Sequence, residues 1–535
     1  MNCNHTGVSV LAQAQQFIPL GFICDMTGVY EIVKKKQVKI ALKPIVVTLF
    51  SRNISHEKWK IHMTYYDIDN VEHNTAFPKE LLHSNTNNLI NILVNNGFPI
   101  VKGQEETVVR FLSLFMVMAR CYTSSKTGWI KNIFILPAET INEPTGHKIV
   151  YLPEDGAPIS SSAIEKSGTF YDWQNGMRNA SKMLVFYVCA ALSAPVRFKV
   201  GIESGGFHIY NLTSHGKTTV LQAAASMWGN GVDPAIGGGN GAYITRWNST
   251  TNALEVTAES FNDLPMIIDE IGEGDANALG KTIYKIFSGT GRNRAKSNGA
   301  LQEAKSWRGS MLSAGEVPIS DFIASGGKPI KGGQAVRLVD IDLSLMDPLF
   351  ANAAEANAMK KLCAEHYGWA GPEFLQRVPD LAQGWDTFDK NRIGPASTPI
   401  ESRVRERFAL VAYTGALASW MSILPWTEDH ILESVRAAYS AWLSKVETIS
   451  DIDRTIDEIK SYLLKNKARF ERKGTSVDFA LPNRVGWYRD DRYHFIPNEF
   501  KKVCNGTDAT QVKKQLKILG LLYIGYCAHS CVNTR

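Results

Sequence analysis

The stretch Phe207-His208-Ile209-Tyr210-Asn211-Leu212-Thr213-Ser214-His215-Gly216-Lys217-Thr218-Thr219-Val220-Leu221-Gln222-Ala223-Ala224-Ala225 decides how this chain is read. It opens on a short β-prone run, passes through a mostly polar loop ending in Gly-Lys-Thr, and closes on a helix-prone run. Strand, loop and helix in that order form the frame of a phosphate-binding loop, G-x-x-x-x-G-K-[ST]. In such a loop, backbone N–H groups at the helix N-terminus wrap the β- and γ-phosphates, and the lysine supplies a mobile positive charge. The expected ATP-binding set is therefore Asn211, Ser214, His215, Gly216, Lys217, Thr218 and Thr219, with the Thr218 hydroxyl on magnesium. One position departs from the pattern, because Asn211 stands where the first glycine belongs. Asparagine is among the few other residues that tolerate a left-handed backbone. The competing reading is an ordinary strand, turn and helix with a surface lysine.

An ATPase also needs an apolar strand ending in carboxylates, to hold the metal shell and to position water. Leu264-Pro265-Met266-Ile267-Ile268-Asp269-Glu270 fits that need. Asp269 is expected to act on magnesium through water, and Glu270 to polarise the attacking water as general base. A third strand, Gly309 to Glu316, places Ser313 where a sensor would feel the γ-phosphate, or where a serine would simply satisfy a loop. Arg337 stands just ahead of a strand that begins near Leu338. In ring-forming ATPases an arginine there reaches the neighbouring subunit's nucleotide; the alternative is a surface ion pair.

Two basic segments are candidates for nucleic acid. Gly289-Thr290-Gly291-Arg292-Asn293-Arg294-Ala295-Lys296-Ser297-Asn298-Gly299 carries three cations ahead of an Asn-Gly turn signal, as a basic hairpin would. Arg292, Arg294 and Lys296 would track phosphates in a salt-sensitive way; Arg294 could instead be the intersubunit arginine. Near the C-terminus, a helix from about Ala509 has Val512, Leu516 and Leu519 on one face and Lys513, Lys514 and Lys517 away from it. A helix over Asp457 to Lys465 and a hairpin over Gly486 to Phe495 precede it. That order is compatible with a winged helix, a module that serves DNA or protein partners.

The rest of the chain sets bounds. Its 535 residues correspond to three or four domains at roughly 150 residues each. With 44% hydrophobic and 21% charged residues it is a folding, globular composition. Lys plus Arg number 58 against 52 Asp plus Glu, a mild excess that permits an anionic partner without requiring one. The longest apolar stretch, Met183 to Pro195, has the length of a buried helix and not of a membrane span. No secretory leader is evident and eight scattered cysteines make no disulfide framework, so a soluble cytoplasmic protein without membrane contact is expected. Cys527, His529 and Cys531 read as incidental thiols and imidazole, and no metal is assigned to them. Residues 21–100 look β-rich, Leu89 to Leu93 and Glu105 to Ala119 look helical, and strands alternate with helices from Trp129 onward. Amphipathic helices are expected over Glu401 to Met421 and Glu428 to Val446. The lysines Lys34, Lys35 and Lys36 read as an ordinary solvated edge.

Taken together, Gly128-Trp129, Phe207-His208-Ile209, Gly216-Lys217-Thr218-Thr219, Met227-Trp228-Gly229, Trp247, Thr251-Asn252-Ala253-Leu254-Glu255, Asn262-Asp263-Leu264-Pro265, Asp269-Glu270-Ile271, Trp307, Leu312-Ser313-Ala314-Gly315-Glu316 and Gly333-Gln334-Ala335-Val336-Arg337 resemble a known family. It is a helicase-like ATPase family of phages, plasmids and integrating mobile elements, catalogued as domain of unknown function nine-two-seven. The resemblance covers most of the chain. It implies a replication-associated, AAA-like or superfamily-three-like ATPase that uses ATP and Mg2+, assembles as a ring, by resemblance a hexamer, and translocates on single-stranded or forked DNA. The family also includes inactivated derivatives, and Asn211 bears on that question.

The resulting expectation is a multidomain α/β chain. It has a β-rich N-terminal domain (1–125), a central AAA-like P-loop ATPase domain with a parallel sheet (126–385), a helical region (386–455) and a winged-helix-like C-terminal domain (456–535). The expected function is an ATP-dependent DNA helicase or translocase. The alternatives are an ATP-switched DNA-binding initiator or scaffold without processive motion, and a different P-loop class such as a defence or signalling ATPase.

Overall fold

The computed structural model describes residues 15–144, 146, 148–153, 163–211, 216–236, 241–291, 305–326, 336–378, 380–445, 451–472, 483–489, 492–518, 521–524 and 530–533. The chain divides into two compact units, Met1–Lys328 with Arg337–Ala441, and Pro329–Val336 with Trp442–Arg535.

The first unit opens with a three-stranded meander, Phe22–Asp25, Gly28–Val33 and Lys36–Ala41. A five-stranded sheet follows, in the spatial order Ile149–Tyr151, Arg120–Ser124, Ile45–Arg52, Lys60–Tyr66 and Glu72–Pro78. Two helices, Thr86–Asn95 and Glu105–Ser113, bury Leu89, Leu93, Val108 and Phe111 in the same core as Ile45, Val47 and Ile61. The second of these stops earlier than the spacing of its apolar residues suggests. Beyond Ser113, Phe115 and Val117 are buried while Met116 and Met118 are 84% and 81% exposed, a period of two that leads into the strand at Arg120. The sheet also extends past residue 125: Ile149–Tyr151 pairs parallel with Arg120–Ser124, so the boundary expected at 125/126 falls inside it. Strands alternating with helices therefore begin after residue 151 and not at Trp129.

The centre of this unit is a second five-stranded sheet, in the order Thr245–Arg246, Pro265–Asp269, Ser310–Gly315, Gly205–Tyr210 and Leu338–Asp342, with every pairing parallel. Pro265–Asp269 and Ser310–Gly315 are buried along their whole length, as expected of a parallel sheet covered on both faces. The helix Lys182–Lys199 packs against both the helix Lys217–Ser226 and the helix Pro399–Trp420. It is buried from Met183 to Arg197, and an aromatic cluster of Phe186, Phe207 and Phe408, with ring centroids 4.9–5.3 Å apart, locks it to the sheet.

Pro195 lies inside that helix and has no N–H to give to the carbonyl of Ala191. The indole of Trp228 supplies the missing donor, its Nε1 reaching the Ala191 oxygen at 3.2 Å. A proline that would leave a buried acceptor unpaired is thus tolerated, and the residue that compensates it follows the helix after the Gly-Lys-Thr loop. Among the described residues no helix is long and apolar enough to cross a membrane.

The second unit has the helices Asp451–Lys465, Pro497–Val503 and Ala509–Ile518 and a five-stranded sheet. Gly486–Arg489 and Arg492–Phe495 form the expected antiparallel hairpin, and a second hairpin joins Leu522–Ile524 to Ser530–Asn533. Val512 and Leu516 are buried with Ile459, Phe470 and Phe495 in this unit's own core.

Candidate functional site

In a parallel sheet all the strand ends of one kind lie on one edge. The carboxyl ends of the central sheet therefore gather Asn211, Asp269, Glu270 and Glu316 where the helix Lys217–Ser226 begins. Gly216 caps that helix at φ +80°, a left-handed conformation that glycine adopts without steric cost. Lys217 turns back over the loop, and its Nζ donates to the carbonyl oxygen of Asn211 at 2.8 Å. Asn211 itself is not among the residues with positive φ. The backbone freedom expected of this position is not used, so a residue other than glycine fits without strain.

The Thr218 hydroxyl donates to Asp269 Oδ2 at 2.8 Å, and the other carboxylate oxygen accepts the Glu270 N–H at 2.9 Å. Burial raises the Asp269 pKa, opposed by these two hydrogen bonds. Glu270 sits at φ +57°, unusual for a residue with a side chain, which turns the chain sharply at the strand tip. Its pKa is raised by burial first and then by Asp269 and Glu316. Lys217 is shifted the other way: burial lowers its pKa, while Glu316, Glu270 and Asp269 pull it back up. One ammonium therefore stands among three carboxylates on this edge. Arg246, level with Asp269 on the neighbouring strand, adds a cation and pairs with Glu273 at 2.7 Å.

Ser313 is not at this edge. It is fully buried, and its Oγ receives the Trp247 indole N–H at 2.9 Å and faces His208 Nδ1 at 3.1 Å. His208 Nε2 in turn lies 3.1 Å from the Val317 carbonyl. The partners fix the directions: Nε2–H donates to Val317, Nδ1 accepts from Ser313, and Ser313 accepts from Trp247. Ser313 therefore ties its own strand to Gly205–Tyr210 and to Trp247, the residue that follows Thr245–Arg246. Thr219 is likewise fully buried, in the first turn of the helix Lys217–Ser226.

Arg337 is at the opposite edge. The Gly206 N–H donates to its carbonyl at 2.8 Å and its guanidinium covers the Tyr284 ring at 4.3 Å. Glu203, held below the usual carboxylate range mainly by Arg403, feels Arg407 and Arg337 as well. Ser214, His215, Arg292, Arg294 and Lys296 lie outside the described residues, as does the side chain of Lys514. Lys513 lies over the Phe500 ring at 5.4 Å, while Lys517 is exposed.

Sequence reasoning did not anticipate Glu316, Arg246 or the segment after the last strand as parts of the site. A cavity of about 270 Å³ joins Asn211 and Gly216 to Leu343, Pro348, Leu349, Phe350 and Ala353. Glu316, at the end of an apolar run, carried the same strand-tip signal as Asp269; the apolar segment carried none.

These features define a multidomain α/β protein built round a parallel sheet, with a lysine, a threonine and carboxylates gathered at one edge. Residues 22–306, more than half of the chain, match the family described as "Domain of unknown function (DUF927)", and the chain belongs to that family. Its fold is similar to that of the solved structure described as "SCCmec type IV Cch - active helicase", with a TM-score of 0.69 and 20% identity over 96% of this chain and 97% of the other. A second solved structure, "The A form apo structure of NrS-1 C terminal region-CTR", aligns over 92% and 97% of the two chains at 9% identity and a TM-score of 0.29, too remote for inference. No curated protein matches the chain.

Proposed function

We propose that this chain is an ATP-driven DNA helicase or translocase that serves replication of a mobile genetic element and hydrolyses ATP between the subunits of a ring. The observation that carries the reading is the contact of Thr218 with Asp269, beside a lysine held at its own loop. A hydroxyl and a carboxylate oxygen side by side suit magnesium, which takes one or two protein oxygens and fills its other positions with phosphate and water. Bound there, the ion would neutralise charge on the β- and γ-phosphates. Lys217 would exchange the Asn211 carbonyl for a phosphate oxygen. Glu270, with its raised pKa, accepts a proton from the attacking water more readily than an ordinary carboxylate does.

Arg337 supports the ring. A strand of five residues, roughly 17 Å long, separates it from its own phosphate edge. That distance is too great for it to serve the nucleotide of its own subunit, which supports a role at a neighbour's. A hexamer follows from the family resemblance. The fold neighbour described as an active helicase supports the motor reading. In the second unit, two short helices followed by the hairpin Leu522 to Asn533 support a winged-helix arrangement, with Lys513, Lys514 and Lys517 on the helix that would meet DNA. Arg292, Arg294 and Lys296 would give further phosphate contacts.

The test is steady-state ATP hydrolysis with and without single-stranded DNA, on wild type and Lys217→Ala, followed by strand separation on forked DNA. DNA-stimulated turnover that vanishes in the variant, together with unwinding, is expected. An assembled wild type that hydrolyses nothing would overturn the motor.

A further inference from the structure

The N-terminal sheet carries a second feature that chemistry can read. Its strands pair Phe50 with Arg120, Arg52 with Tyr122, Phe50 with Ile61 and Ile61 with Phe77. Side chains two residues apart on a strand share a face. Trp59, just before the strand Lys60–Tyr66, and Lys79, just after Glu72–Pro78, join Phe50, Arg52, Arg120 and Tyr122 through their ring contacts. At about 4.8 Å per strand, the row crosses four neighbouring strands over about 14 Å.

Along this row cations and rings alternate without a break. Arg120 lies over Phe50 at 4.9 Å, and Lys79 covers both Phe50 at 5.3 Å and Trp59 at 5.9 Å. Arg52 covers Trp59 at 5.1 Å and Tyr122 at 5.4 Å, and His56 meets the Tyr122 ring edge-on at 5.9 Å. Among the described residues no carboxylate pairs with Arg52, Lys79 or Arg120; their hydrogen bonds go to the Tyr122 hydroxyl and to backbone carbonyls. Lys79 and Arg120 are exposed, and Trp59 and Tyr122 are half-buried. Three cations with no carboxylate partner among the described residues, Arg52 and Lys79 of them beside the half-buried rings of Trp59 and Tyr122, exceed what packing over the buried Phe50 requires.

We infer that this row is a binding surface for single-stranded DNA. Ring faces stack unpaired bases, and flexible cations beside them take the phosphates. In the free protein the cations rest on the rings. On binding, they swing out to phosphates as bases take their place. A duplex hides its base faces and engages the cations alone, so the surface prefers single strands. The choice of DNA over another polyanion rests on the motor reading above; the surface itself does not depend on hydrolysis.

The experiment is fluorescence anisotropy of the full chain with an oligo-dT strand, without nucleotide, compared with an abasic strand of equal length and with duplex. The variants are Lys79→Gln with Arg120→Gln, both exposed, and Trp59→Leu, which keeps apolar bulk. Wild type is expected to bind oligo-dT about tenfold more tightly than the abasic strand, and Trp59→Leu to lose that preference. The double variant is expected to flatten the slope of log affinity against log salt by about 1.4, or 0.7 per phosphate contact. Equal binding of oligo-dT and abasic strands by wild type, or variants that bind as wild type does, would overturn the inference. Weakened binding in the variants of a protein that hydrolyses no ATP would leave the surface standing and remove the motor. DNA-stimulated hydrolysis with unaffected variants would do the reverse.

Discussion

Thr218 and Asp269, 51 residues apart in the chain, meet at 2.8 Å at the carboxyl edge of the central sheet. The contact joins the first turn of a helix to the tip of a strand that is not the helix's sheet neighbour, since Ser310–Gly315 lies between that strand and Gly205–Tyr210. Asp269 and its neighbour Glu270 should separate by role. Glu270→Gln is expected to lower ATP turnover by about 10²- to 10⁴-fold while leaving ATP affinity near wild type. Asp269→Asn is expected to lose turnover and also the magnesium dependence of nucleotide binding. Equal turnover in wild type and Glu270→Gln, followed by phosphate release, would remove the general-base assignment.

Asn211 offers a backbone carbonyl to Lys217 and adopts no positive φ. Asn211→Gly preserves that carbonyl, so its steady-state turnover is expected to stay within about twofold of wild type, with stability lower by about 0.4–1 kcal/mol from the freer unfolded chain. A large gain in turnover would show that the asparagine side chain inhibits.

Gly216 is the position where glycine is required. Its φ is +80°, and a Cβ there would come within 2.8 Å of the Phe350 ring. Gly216→Ala is expected to displace Phe350 or the helix start and to weaken ATP binding at least about tenfold, with about 1–3 kcal/mol of strain. Isothermal titration with a slowly hydrolysed ATP analogue reads it directly.

Asp263 is 99% buried and gathers a clamp: its carboxylate receives Nε of Arg308 at 2.6 Å, the Arg308 NH2 group and the Trp129 N–H at 2.9 Å. Asp263→Ala strands a guanidinium and a buried N–H together. We expect a loss of about 1–3 kcal/mol in urea unfolding, because the stranded N–H is buried while Arg308 is about a third exposed. Ordinary stability in this variant would mean that Arg308 finds water.

Burial pushes the imidazoles of His208 and His62 down to about 4. In the unfolded chain they titrate near about 6.5, so between these values the unfolded state binds protons that the folded state refuses. Their contribution is complete above about pH 6.5. It is lost as pH falls towards 4, at up to about 1.4 kcal/mol per pH unit for each ring. Urea midpoints of wild type against His208→Gln across this window should differ in slope by one proton. Parallel curves would mean that His208 is protonated in the fold.

The order strand, loop, helix, carboxylate strand and arginine strand was legible because each piece has a local signature: β-prone runs, the Gly-Lys-Thr turn, and Asp-Glu after an apolar run. The central strands and helices fall within a few residues of those signatures, and so do the long helices Pro399–Trp420 and Glu428–Leu443. The failures are as local. Phe115 to Met118 fits helical spacing as a list of apolar residues, and only the burial of alternate ones shows it to be extended.

What the sequence determined by itself is the set of candidate site residues and the strands and helices that carry them, because those follow from short-range periodicity and backbone preference. Tertiary structure alone decided which strand ends share an edge. Parallel pairing put Thr218 against Asp269, carried Glu316 to the same edge and left Arg337 at the other, although none of these separations is encoded in spacing. It also drew Ser313 into the sheet: a residue in register with His208 on a covered strand meets neighbouring side chains before it meets solvent or ligand.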